Sequence, residues 1–186
     1  TGLVSDAISD ITSHFEAGRW YEWFGGADGM TIFDGTNWWN PGLVMTPFRM
    51  AVEFVDPDPE VPGDEYWNKW VCTQDNGVFV IVGALPTTVT NYTVANSGLV
   101  SDTVNSVSVD EDHAKWFGTD QGVSVLDADG SWSAISMLDG LPSNDVSAID
   151  FAADAVWFGT DRGVAVRRDG RWTTYQHIAA DEPMIG

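Results

Sequence analysis

An all-β fold of four consecutive four-stranded antiparallel sheets is predicted by three observations. The stretch Trp116-Phe117-Gly118-Thr119-Asp120-Gln121-Gly122-Val123 returns 41 residues later as Trp157-Phe158-Gly159-Thr160-Asp161-Arg162-Gly163-Val164. Each copy lies between the same two markers. A Gly-Leu-x-Ser signal precedes it (Gly98 to Ser101, Gly140 to Ser143), and an Asp-Gly-x-Trp tail follows it (Asp129 to Trp132, Asp169 to Trp172). Within a repeat, apolar residues alternate with polar ones at the period of strands, not of helices. Four short strands every 40 or so residues are the signature of a β-propeller blade.

Each element has its own warrant. Val107 and Val109, with their counterparts Ile149 and Phe151, alternate with polar residues and mark the first strand. The Trp-Phe-Gly-Thr segment is the second. Gly122 to Leu126 and Gly163 to Val166 form the third; Trp132 to Ile135 and Trp172 to Tyr175 form the fourth. The turns between them carry Asp-Gln-Gly, Asp-Arg-Gly and Asp-Gly, which supply the positive φ that tight hairpins need. One blade cannot bury both its faces, so blades stack, with Trp and branched residues between neighbours.

Two looser copies come first. Gly2-Leu3-Val4-Ser5 opens one, Trp23 to Met30 is its middle, and Asp34-Gly35-Thr36-Asn37-Trp38 its tail. The next opens at Gly42-Leu43-Val44, has Trp70 to Val78 in the middle and ends near Tyr92, without the Asp-Gly-x-Trp tail. The chain therefore reads as one propeller region, 1–186, with blades at 1–41, 42–97, 98–139 and 140–186. The second blade carries an acidic insertion at 56–65.

The run Gly140-Leu141-Pro142-Ser143-Asn144-Asp145-Val146, then Trp157 to Val164, then Asp169 to Trp172, resembles the two-component-regulator propeller repeat. The fit is tight for Gly140–Tyr175 and Gly98–Ile135, looser for Gly2–Trp38 and poor in the middle of the second repeat. That family is known from extracytoplasmic sensor regions of bacterial signalling proteins and from secreted bacterial propellers. The resemblance implies an extracytoplasmic location and a sensing or recognition role. It also implies a larger ring, commonly of seven blades. Three expectations follow: a fragment of a longer protein, a ring completed by another copy, or a closed four-bladed ring. An incomplete ring leaves an apolar sheet face at each end.

Composition narrows the partners. There are 28 acidic side chains against 8 basic ones, a formal net charge of −20. Such a surface repels phosphate backbones and anionic lipid heads, which argues against nucleic acid and bare membrane. No stretch approaches the roughly 18 apolar residues of a membrane helix. No signal peptide is visible at Thr1-Gly2-Leu3, as expected of a mature chain, a trimmed chain or a fragment. Cys72 is the only cysteine and lies in an apolar strand pattern, where an inert buried thiol is expected.

Chemistry is sought first in the repeats and then in their exceptions. Asp28, Asp75, Asp120 and Asp161 occupy the same turn of all four blades. Shared positions read as turn-formers whose carboxylates bond nearby backbone N–H groups; the rival reading is a ring of carboxylates around a cation. Gln121 and Arg162, at the variable place in that turn, are ligand-binding candidates. The insertion puts five carboxylates and three prolines into Asp56 to Glu65. It reads as a solvated acidic loop, with calcium binding as the alternative. Trp23 and Trp38 fit core positions. Trp20 and Trp39 are additional: exposed, they stack on a sugar or anchor a protein partner; buried, they fill a void. His14, His113 and His177 share no repeat position.

No nucleophile elbow, phosphate loop, dinucleotide fingerprint or zinc spacing is present in the sequence. The expected function is a non-catalytic module that recognises a protein or a glycan, with no cofactor required. A metal-assisted lyase is the alternative, since the related seven-bladed streptogramin lyases are propeller enzymes. Blades that assemble into a larger ring or filament are the third class.

Overall fold

The computed structural model describes residues 2–43, 45–57, 59–60, 65–83 and 88–177. They form sixteen strands and no helix. The first sheet holds β1 (Ile8–Glu16), β2 (Arg19–Gly26), β3 (Gly29–Phe33) and β4 (Trp38–Trp39). The second holds β5 (Arg49–Val55), β6 (Tyr66–Cys72), β7 (Val78–Val82) and β8 (Thr88–Tyr92). The third holds β9 (Val104–Val109), β10 (Lys115–Thr119), β11 (Gly122–Leu126) and β12 (Trp132–Ile135). The fourth holds β13 (Val146–Ala152), β14 (Ala155–Thr160), β15 (Gly163–Arg168) and β16 (Arg171–Tyr175). All pairings are antiparallel between consecutive strands, so each sheet is an up-and-down blade.

The blades radiate from their first strands. β1 packs on β5, β5 on β9 and β9 on β13, while no packed pair joins β13 back to β1. Among the described residues the four blades therefore form an open arc rather than a closed four-bladed ring. Its core lies between sheets, in three clusters. Trp23, Met30 and Ile32 of the first blade meet Met50, Val71 and Ile81 of the second. Trp70, Cys72 and Val80 meet Leu99, Val104 and Phe117 of the third. Val123, Val125 and Ile135 meet Leu141, Val146 and Phe158 of the fourth.

The repeated residues are explained by this stacking. Leu99 and Leu141 of the Gly-Leu signal plug the junction with the preceding blade and are 3% and 4% exposed. The glycine before each leucine lies under the tail tryptophan of its own blade. A Cβ on Gly98 would fall 2.3 Å from Trp132, and one on Gly140 2.5 Å from Trp172. The two markers thus recur together because one is the seat of the other.

The second-to-third-strand turn departs from expectation in one respect. Its clasp is the threonine before the aspartate. Thr119 Oγ1 donates to Gly122 O (2.8 Å) and accepts from Gln121 N (3.0 Å), and Thr160 Oγ1 does the same with Gly163 O and Arg162 N. Thr73 repeats it with Gly77 O and Asn76 N. Asp120 Oδ1, by contrast, is buried with no partner. A hydroxyl both donates and accepts across the narrow turn, which a carboxylate cannot do. The glycine of this turn has φ of 124° at Gly122 and 123° at Gly163, and a Cβ there would meet the carbonyl closing the fourth strand.

The connecting segments are fixed in a parallel way. Ser101 and Ser143 accept N–H bonds from Thr103 and Asp145 two residues on, and Ser5 from Ala7. Asp102 and Asn144 accept from Val94 N and Met137 N.

Candidate functional site

At the end of the blades that carries the second-to-third-strand turns, a groove opens between the first and second blades. One part of about 400 Å³ is lined by Ile8, Ser9, Pro47, Phe48, Gln74 and Asp75. The adjoining part, about 420 Å³, shares Ala27 and Thr46 with it and adds Asp28, Asn40, Leu43 and Asn76. The junction builds this groove. Ser9 Oγ donates to Pro47 O and to Gly25 O, and Asp10 Oδ2 accepts from Met50 N, which ties β1 to the entry of β5. Arg49 covers the Phe48 ring at 4.6 Å and donates to Ser9 O. The floor is apolar. The rim carries the Asp28 and Asp75 carboxylates and the side-chain amides of Gln74, Asn76 and Asn40, all exposed. In shape and polarity such a surface is complementary to a group with an apolar face and a hydroxylated or cationic edge.

The sequence-derived candidates divide. Asp28 and Asp75 line the groove. Gln121, Asp161 and Arg162 are exposed on turns of the third and fourth blades and do not line it. Among the described residues no three His, Cys, Asp or Glu side chains are placed to share an ion, so the four turn aspartates do not gather as a cation ring. Trp20 is 57% exposed at the opposite end, edge-on to Phe15 at 5.5 Å, and Trp39 is 43% exposed on β4. Trp38 is corrected: it is 42% exposed rather than core, because it packs on Phe24 and Phe33 of a face that none of the other three described blades covers. In the insertion, which lies between β5 and β6 in the sequence, Asp58 and residues 61–64 lie outside the described residues.

Sequence reasoning missed a second constellation, the charged clamps inside two junctions. Lys115, just before the strand-two tryptophan of its blade, reaches back to Glu53 Oε1 (3.3 Å) and lies 5.3 Å over the Trp70 ring. Glu53 Oε2 accepts from Trp70 Nε1 (2.8 Å) and Asn68 Nδ2 (3.2 Å), and Oε1 meets His113 Nδ1 at 3.4 Å. One junction earlier, Lys69 holds the equivalent place, fully buried and 5.0 Å over the Trp23 ring. It donates to Trp67 O and Gly83 O. Burial pushes its amine down to about 8, against the pull of Glu16. His14 stacks on Tyr21 and contacts Glu16 Oε2 through Nε2 at 3.1 Å. Burial, reinforced by the Lys69 charge, lowers it to about 3, so it is neutral. The Cys72 thiol is raised by burial first and Asp10 second, which keeps it protonated. The one sequence signal for these clamps was a lysine inside an apolar strand.

No protein-family model and no curated protein sequence matches the chain. Solved structures do share its fold. The extracellular domain of the candidate hybrid two component system BT3049 from B. thetaiotaomicron superposes with a TM-score of 0.63 at 20% identity, over 94% of this chain and 23% of that one. The corresponding domain of BT4673 from the same organism gives 0.66 at 16% identity, over 92% and 22%. A streptogramin B lyase gives 0.63 at 13% identity, over 95% and 57%. The chain thus spans less than a quarter of the length of the two extracellular domains. The fold is that of β-propeller blades.

Proposed function

We propose that this chain is a non-catalytic recognition module of an extracytoplasmic sensing propeller, and that it takes a glycan end in the groove between its first two blades. The groove carries this reading. Its apolar floor of Ile8, Leu43 and Pro47 suits the C–H face of a sugar, and the Asp28 and Asp75 carboxylates with the Gln74 and Asn76 amides suit its hydroxyls. Among the described residues the groove is lined by no histidine, cysteine or lysine, and the titratable groups with the largest shifts lie inside junctions. Similarity to extracellular domains of two-component systems supports the location and the role.

The test is calorimetric titration of the chain with a glycan panel and a cationic peptide panel. Saturable glycan binding that is lost in Asp75→Ala and in Thr46→Trp, which fills the groove, supports the reading. Peptide binding at the same residues replaces the glycan with a protein ligand. Turnover of a lyase or hydrolase substrate, abolished by one groove substitution, overturns it.

A further inference from the structure

The two ends of the arc carry opposite halves of the junction found between its blades. At an internal junction, the strand-two tryptophan of one blade meets the residue following the tryptophan of the next. Trp70 lies 5.8 Å from Phe117, Trp116 lies 6.1 Å from Phe158, and Trp23 shares a cluster with Val71. Phe117 and Phe158 are fully buried by this contact. Phe24, at the same place in the first blade, is only half-buried, against the exposed Trp38, which also packs on Phe33. Trp157, at the matching place in the fourth blade, is 36% exposed above Val166, with Tyr175 58% exposed nearby. One end presents the tryptophan without its cover; the other presents the cover without its tryptophan.

Charge completes the match. The residue before the tryptophan is Lys69 or Lys115 at the first two junctions, facing Glu16 or Glu53 of the preceding blade. In the first blade that residue is Glu22. On the open face of the fourth blade the cation is Arg168, which pairs across β14 with Ala155 in the row that Glu53 occupies in its own sheet. Its present partner is the exposed Asp154, at 2.9 Å. The polarity is reversed relative to the internal junctions: Arg168, with Arg171 in the same row, supplies the cations of this face, and Asp150 stands beside Trp157 as its one carboxylate within the strands.

We propose that the open face of the fourth blade receives the first blade of a second copy, head to tail, with Glu22 set against Arg168 and Phe24 against Trp157. Two copies joined at both ends make an eight-bladed ring, within the usual range of propellers. A heterologous contact of this kind closes or propagates according to its rotation.

Sedimentation equilibrium of the 186-residue chain, across concentration at about 0.15 M salt, tests it. The expected mass is that of two copies or of a head-to-tail series. Glu22→Arg and Arg168→Glu should each weaken association about tenfold or more, because like charges then face each other. The double variant, or an equimolar mixture of the two single variants, should restore it. Glu22 is half-buried and Arg168 exposed, and both variants are checked for folding by circular dichroism. A monomer at every concentration overturns the proposal and leaves the end faces to other blades. Self-association indifferent to all of these substitutions also overturns it.

Discussion

Gly98 and Trp132 sit one on the other although 34 residues separate them, and a Cβ on the glycine would fall 2.3 Å from the Trp132 side chain. Gly98→Ala therefore has to displace the ring that covers Phe117 at 5.9 Å. A cost of about 1–3 kcal/mol is expected from overpacking, measured by urea unfolding. Gly130→Ala is the contrast: nothing lies within 4 Å of its Cβ, so any cost comes from its φ of 86° alone.

The clasp assignment in the strand-two turn predicts opposite outcomes for adjacent residues. Thr119→Val keeps the shape but removes a donor to Gly122 O and an acceptor for Gln121 N at a fully buried site. A loss of about 1–3 kcal/mol is expected. Asp120→Ala removes a carboxylate whose Oδ1 is buried without a partner, and should be neutral or stabilising. If Asp120→Ala proves the more damaging in thermal unfolding, the carboxylate rather than the hydroxyl holds the turn.

Glu53 joins two blades. Glu53→Ala strands the Lys115 ammonium and the Trp70 indole N–H together, for an expected loss of about 3–5 kcal/mol. Glu53→Gln should cost less, since its amide oxygen still accepts from Trp70. Denaturant midpoints of the two variants in parallel decide the order.

Acid should loosen the first junction through His14. Its folded value of about 3 lies below the ordinary 6.5, so between these pH values the unfolded chain binds the proton and the folded chain does not. The His14 contribution is complete above pH 6.5 and is lost as pH falls toward 3, by at most about 1.4 kcal/mol per pH unit. Unfolding free energies of the protein and of His14→Gln at pH 7 and pH 4 test this. The gap between them should narrow on acidification; a constant gap would falsify the assignment.

The fold class was legible because its markers each answer to a physical need that recurs in every blade. Leucine plugs a junction, glycine seats a tryptophan, and threonine clasps a turn. The groove was not legible. Ile8, Thr46 to Phe48 and Gln74 to Asn76 come from three separate segments and meet only once two blades pack, so the recurrence of the Asp75 turn in every blade does not point to a groove at this one. Trp38 shows the limit of arguing from repeat position. The same motif residue is half-buried as Trp132 and Trp172, where a preceding blade covers it, and exposed where none does. The clamps were hidden for a related reason: a lysine in a strand says nothing of the carboxylate it will meet in another sheet.

The three clusters between blades share an outline but not a chemistry. The first holds a neutral histidine between a lysine and a glutamate, the second a lysine and a glutamate that also accepts from an indole, and at the third Val156 stands where the lysines stood while Asp110 accepts from the Trp116 indole at 2.9 Å. Each blade therefore recognises its neighbour and not merely any blade. Exchanging the second and third blades would keep every repeat motif intact and set the Glu53 carboxylate against Val156 of the fourth blade, so the order of the blades is written in the few buried residues that differ between them.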